Sequence, residues 1–127
     1  MKKKISEIET LIATIQKLRG PQGCPWDKKQ TTESLKKYLH EEFSEIIEAI
    51  EKQDPDNLCE ELGDFLYLII MVSEINREQH HFSFNDVIQI VNRKLIRRHP
   101  HVFEGKSVKN EDELRIQWEE IKKSEKN

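Results

Sequence analysis

The sequence predicts an all-α fold, a helical bundle of about five helices. Apolar residues recur at three- and four-residue steps through successive segments, and residues that start or stop helices separate those segments. No stretch reads as a convincing strand.

The first helix is marked by Ile5, Ile8, Leu11, Ile12, Ile15 and Leu18. Gly20-Pro21 is expected to end it, with Gly20 as a left-handed cap and Pro21 unable to continue. A polar loop runs from there through Thr31. The second helix starts near Thr31 or Thr32 and is expected to bury Leu35, Leu39, Phe43, Ile46, Ile47 and Ile50. Asp54-Pro55-Asp56 opens the third, because Asp54 can cap, Pro55 suits the first helical position and Asp56 complements the dipole. Its apolar run from Phe65 to Val72 leaves no polar face, so that section is expected to be buried all round, part of it against a second subunit. The fourth helix opens at Ser83, with Asp86 completing a capping-box-like pair and Phe82 stapling onto Val87. It ends by His99, since Pro100 disfavours helical geometry before it. Asn110 with Glu113 opens the fifth, which turns Leu114, Trp118 and Ile121 inward.

A chain of 127 residues without internal repeats reads as a single domain over residues 1–127. Apolar and charged residues each make up 35%, a composition lean in core for which self-association buries more apolar surface. The net charge of −3 argues against a stable nucleic-acid partner, which calls for a basic face. Cys24 and Cys59 do not make a disulfide framework, so a cytoplasmic home is the simpler reading. Met1-Lys2-Lys3-Lys4 resembles the start of a signal peptide. Glu7 and Glu9 follow it, however, and no apolar segment of the required length does. The run from Phe65 to Val72 is too short to span a bilayer, so no membrane association is expected.

The densest chemical signal is Glu41-Glu42-Phe43-Ser44-Glu45 followed by Glu61-Leu62-Gly63-Asp64. Residues three apart on a helix share a stripe, so Glu42 pairs with Glu45 and Glu61 with Asp64. The short connection through Asp54-Pro55 sets the two helices antiparallel, with the pairs facing across one seam. Like charges about 4 Å apart repel by about 4 kcal/mol at an effective dielectric near 20. Either their pKa values rise or a cation sits among them. An all-carboxylate set suits Mg²⁺ or Mn²⁺ rather than zinc. Glu48, Glu51 and Asp56 read instead as solvated acids. Gly63 inside a helix is costly, which points to close approach by another helix or a ligand.

Lys94 and Arg98 lie four apart on one helix face and can hold phosphate oxygens, although cations also simply suit a helix C-terminus. Trp26 stands in the loop, and Trp118 shares a stripe with Lys122. Either tryptophan can stack on a base or pack in the core. His99-Pro100-His101 reads as a structural turn, and Cys24 lacks an activating partner.

Glu41-Glu42-x-x-Glu45 with Glu61-x-x-Asp64 resembles the signature of the MazG family of all-α nucleoside triphosphate pyrophosphohydrolases. Gly23-Cys24-Pro25-Trp26-Asp27 with Gln30-Thr31, and Arg98-His99-Pro100-His101-Val102-Phe103, resemble further blocks of that family in the same order, over residues 8 to 122. The resemblance implies a dimer or higher homo-oligomer (dimer or tetramer) that hydrolyses a nucleoside triphosphate to monophosphate and pyrophosphate, in nucleotide-pool housecleaning. It implies Mg²⁺ (or Mn²⁺) on Glu42, Glu45, Glu61 and Asp64, with Glu41 supporting or orienting water. It also implies triphosphate contacts from Lys94 and Arg98, and nucleotide contacts from Trp118 and Lys122. Water is the expected nucleophile, since no Ser–His or Cys–His arrangement is evident. The alternatives are a relative specific for dUTP, dCTP or phosphoribosyl-ATP, or a non-catalytic nucleotide- or partner-binding module. A di-iron bundle needs two Glu-x-x-His pairs, and the chain offers only Glu78-x-x-His81.

Overall fold

The computed structural model describes residues 4–126, all helix and connection with no strand. The basic start at residues 1–3 lies outside them. The elements are α1 (Glu7–Leu18), α2 (Pro25–Lys29), α3 (Lys36–Glu51), α4 (Pro55–Glu78), α5 (Phe84–Arg98), α6 (Pro100–Phe103) and α7 (Glu111–Glu125). The five long helices are the expected ones, while α2 and α6 are additional. Both short helices start on a proline, whose fixed φ suits the first turn, so Pro100 ends α5 and also begins α6. Helix α3 starts at Lys36, later than expected, because residues 32–35 form turns. The chain divides into two compact units, Met1–Phe84 and Asn85–Asn127.

In the first unit, α3 and α4 pack as a hairpin and α1 lies against α4. Asp54 caps α4 as expected, its carboxylate accepting from the Asn57 N–H at 3.2 Å. Helix α3 closes with Gln53 in the left-handed region (φ 55°), where the Gln53 N–H donates to Ile50 and the Asp54 N–H to Ala49. Helix α4 closes in the same way through His80 (φ 63°), with His80 donating to Arg77 and His81 to Asn76. Gly20, expected to be such a residue, is not in the left-handed region; α1 ends through a right-handed Arg19.

The core joins Leu35, Leu68, Met71 and Ile75, with Trp26, Tyr38, Leu39, Tyr67 and Val72 packed against it. Ile46 and Ala49 of α3 are buried, whereas Phe43, Ile47 and Ile50, expected inside, are exposed. In the run from Phe65 to Val72, Leu68, Ile70 and Met71 are buried and the other five residues are half-buried.

Arg19 ties three segments together. Its Nε and Nη2 donate to the Glu78 carboxylate, each at 2.9 Å, and its Nη1 donates to the backbone carbonyls of Asp27 and Gln30. The Tyr67 hydroxyl donates to the Asp27 carboxylate, and the Gln30 amide donates to the Trp26 carbonyl at 2.9 Å. Just ahead of α2, a Cβ at Gly23 would fall 2.0 Å from the Leu18 carbonyl oxygen. The Gly-Cys-Pro-Trp-Asp block thus forms a close-packed anchor of the α2 segment on α1 and α4.

In the second unit, Asn110 caps α7 by accepting from Glu113 N–H at 2.9 Å, and the Glu113 carboxylate accepts from Lys109 N–H at 3.1 Å. Leu114 and Ile121 are half-buried, but Trp118, expected inward, is exposed. Among the described residues no helix is long and apolar enough to cross a membrane.

Candidate active site

Helix α3 presents Glu42 and Glu45 one turn apart, and α4 brings Glu61 to meet them. One carboxylate oxygen from each lies within 4.8 Å of the other two. Glu42 and Glu61 are half-buried and Glu45 is exposed. One oxygen of Glu42 and one of Glu61, both Oε2, are shut off from solvent and accept no hydrogen bond among the described residues. Burial, with the charges of Glu45 and Asp64, pushes the Glu42 carboxyl above its ordinary value. The facing Glu45 carboxylate, then burial and Glu42, push Glu61 up to about 7. Shielded oxygens without donors, in a set made only of carboxylates, fit a hard divalent cation.

Asp64 lies one turn beyond Glu61 and outside this group of three, exposed, with its charge felt at Glu42. Glu41 is exposed and also outside the group. Gly63 faces open space, since a Cβ there meets nothing within 4 Å, so the close approach expected from its position is not made within the chain.

Trp26 is half-buried and packs edge-on against Tyr38, with centroids 5.2 Å apart and an interplanar angle of 77°. The two rings border a cleft of about 280 Å³ that Lys29, Gln30, Ser34 and Lys37 complete.

In the second unit, Arg98, Trp118 and Lys122 gather into one cluster. The Arg98 guanidinium lies 5.8 Å from the Trp118 ring centroid, and the Lys122 ammonium 4.7 Å from it. A cleft of about 420 Å³ opens beside Arg98, His99, Leu114 and Trp118. Lys94 sits one turn before Arg98 on α5, half-buried. Reading the sequence missed Glu125, whose carboxylate accepts from Arg98 Nη2 at 2.8 Å, from Arg98 Nε at 3.2 Å and from Arg97 Nε. The available signal was an acid in the last turn of a helix, where it opposes the dipole and needs a cationic partner. His99 Nδ1 meets the Leu95 carbonyl and His101 Nδ1 the Gln117 amide, in keeping with a structural turn.

A family model described as "MazG nucleotide pyrophosphohydrolase domain" matches residues 30–103. The chain is 50% identical over 121 residues to the "Nucleoside triphosphate pyrophosphohydrolase/pyrophosphatase MazG" of Thermotoga maritima, covering 93% of this chain and 45% of that protein. It is 41% identical over 123 residues to the "Nucleoside triphosphate pyrophosphohydrolase" of Escherichia coli (strain K12), covering 96% and 47%. It is also 47% identical over 121 residues to "Uncharacterized protein YabN" of Bacillus subtilis, covering 95% and 25%. The chain therefore spans a quarter to just under half the length of these relatives. A crystal structure of a mazG-related protein from Thermotoga maritima superposes with a TM-score of 0.74 at 33% identity, covering 91% of this chain and 98% of that one. The match spans more than half of the sequence and includes both acidic pairs, and the chain belongs to the MazG nucleotide pyrophosphohydrolase family.

Proposed function

We propose that this chain is a divalent-cation-dependent nucleoside triphosphate pyrophosphohydrolase that releases pyrophosphate and a nucleoside monophosphate, with residues 1–127 acting as one domain. The observation that carries the reading is the Glu42–Glu45–Glu61 cluster with its two shielded, donor-less oxygens. Family membership and the names of the Thermotoga and Escherichia relatives supply the substrate class. Glu42, Glu45 and Glu61 would hold Mg²⁺ or Mn²⁺, with Asp64 adding a fourth carboxylate. A cation bound there supplies charge neutralisation for the triphosphate and acidifies water at neutral pH.

The remaining chemistry belongs to the chain. Lys94 and Arg98 donate to phosphate oxygens and stabilise the departing pyrophosphate. Trp118 and Lys122 contact the nucleotide, and Trp26 offers a second aromatic surface. Glu41 accepts a hydrogen bond from the attacking water and orients it. The role is nucleotide-pool housecleaning in the cytoplasm, by a homodimer or larger assembly. The exposed α3 stripe of Phe43, Ile47 and Ile50 supports self-association.

The test is pyrophosphate release from a panel of ribo- and deoxyribonucleoside triphosphates with Mg²⁺, comparing wild type with Glu61→Gln. Gln keeps the volume and one coordinating oxygen but removes a negative charge. Release is expected from wild type only. Equal rates from both proteins would defeat the assignment of the site.

A further inference from the structure

We propose that Glu125 is a positioning residue for the nucleotide's phosphates: it grips Arg98 along one edge, so that the opposite end of the guanidinium is presented to a phosphate. The inference rests on the functional reading above, in which Arg98 binds the triphosphate. A guanidinium carries five N–H donors in a rigid fork. Glu125 Oε1 takes Nε and one N–H of Nη2, at 3.2 and 2.8 Å; among the described residues no hydrogen bond engages the Nη1 donors. The other oxygen of the carboxylate accepts from Arg97 Nε.

This grip is sheltered, with the Arg98 side chain 20% and the Glu125 side chain 17% exposed. The Trp118 ring lies 5.8 Å from the same guanidinium, so Arg98 is held by an edge and against a ring. An arginine fixed in this way has already given up the rotameric freedom that phosphate binding would otherwise cost. Arg97 matters for charge as well. With one carboxylate between two guanidiniums, the group keeps a net positive charge, so Glu125 orients Arg98 without cancelling its attraction for an anion. The two arginines draw the Glu125 carboxyl down to about 2, which keeps the grip intact at neutral pH.

The experiment uses the full chain with Mg²⁺ and two readouts: calorimetric binding of inorganic tripolyphosphate, and steady-state kinetics with ATP and dTTP. Glu125→Gln, Arg98→Ala and the double variant are compared, with helix content and thermal melting as folding controls. Glu125→Gln should weaken tripolyphosphate binding and raise KM about tenfold, the scale of a lost charge-assisted hydrogen bond, with kcat little changed. The double variant should be no worse than Arg98→Ala alone, because Glu125 acts only through Arg98. If Glu125→Gln perturbs folding, Glu125→Asp, which keeps the charge, should bind better than Glu125→Gln.

Tighter or unchanged tripolyphosphate binding in Glu125→Gln, or additive losses in the double variant, would overturn the positioning role and leave Arg98 as a phosphate ligand. An Arg98→Ala variant that binds tripolyphosphate normally would overturn both. The expected binding pattern without turnover of any triphosphate would support the positioning role and reject the hydrolase reading.

Discussion

Glu61 meets Glu45 and Glu42 across the α3–α4 hairpin, and that contact ties stability to pH. With its carboxyl raised from 4.5 to about 7, the folded apo protein binds more protons than the unfolded chain between those values. The resulting stabilisation is fully present below about 4.5 and is lost as pH rises through about 7. Thermal melts in EDTA should therefore fall between pH 5 and 7.5, and Glu61→Gln should remove that component of the slope. Saturating Mg²⁺ should flatten it too, since the cation displaces the protons that the raised carboxyls hold, and at a hundredfold excess over Kd it adds about 2.7 kcal/mol. Melts indifferent to both pH and Mg²⁺ would speak against the cluster.

Two glycines make a second residue-scale test. Gly23→Ala forces a Cβ to 2.0 Å from the Leu18 carbonyl oxygen and should cost about 3 kcal/mol. Gly63→Ala meets open space and should stabilise α4 by up to about 1 kcal/mol, unless another molecule covers it. Denaturant melts of the two variants should move in opposite directions. The acidic stripes were legible in sequence because helical spacing alone brings Glu42 beside Glu45. Glu125 was not, because its pairing with Arg97 and Arg98 spans 28 and 27 residues, beyond any local period.

The starts of α4 and α7 were easier to read than the stops of α3 and α4, and the reason is chemical. Asp54 and Asn110 cap through their own side chains, so residue type announces the function. The left-handed closures of α3 and α4 fall on Gln53 and His80, which carry no such mark, while Gly20, which does, takes another conformation. A non-glycine residue pays a backbone penalty there. Gln53→Gly should consequently raise stability by about 1 kcal/mol, read as a shift in denaturant midpoint with an unchanged slope. A loss would show that the Gln53 side chain supplies more than its backbone costs. Helices α2 and α6, five and four residues long, are too short to display a period, and only their leading prolines hinted at them.

At the scale of the whole molecule, the sequence identified an apolar face but not what covers it. Phe43, Ile47 and Ile50 recur at four- and three-residue steps, so periodicity assigned them to the interior along with Leu35 and Ile46. In the chain they are 56%, 40% and 53% exposed, and Leu62 of α4 is 51% exposed. Hydrophobic spacing reports which face avoids water, without distinguishing a core from a contact between copies. Full burial of a large apolar side chain is worth about 1.5–3 kcal/mol, and about half of that remains to be gained at each of these positions, so covering the stripe on two copies favours association. Sedimentation at micromolar concentration should show a dimer or larger species. Ile47→Lys should shift it toward monomer, because a charge in the middle of such a stripe is desolvated without a partner. The substitution is exposed in the isolated chain and should leave helix content unchanged. A wild-type species of 15.2 kDa at that concentration would leave the stripe uncovered and remove self-association from the functional reading.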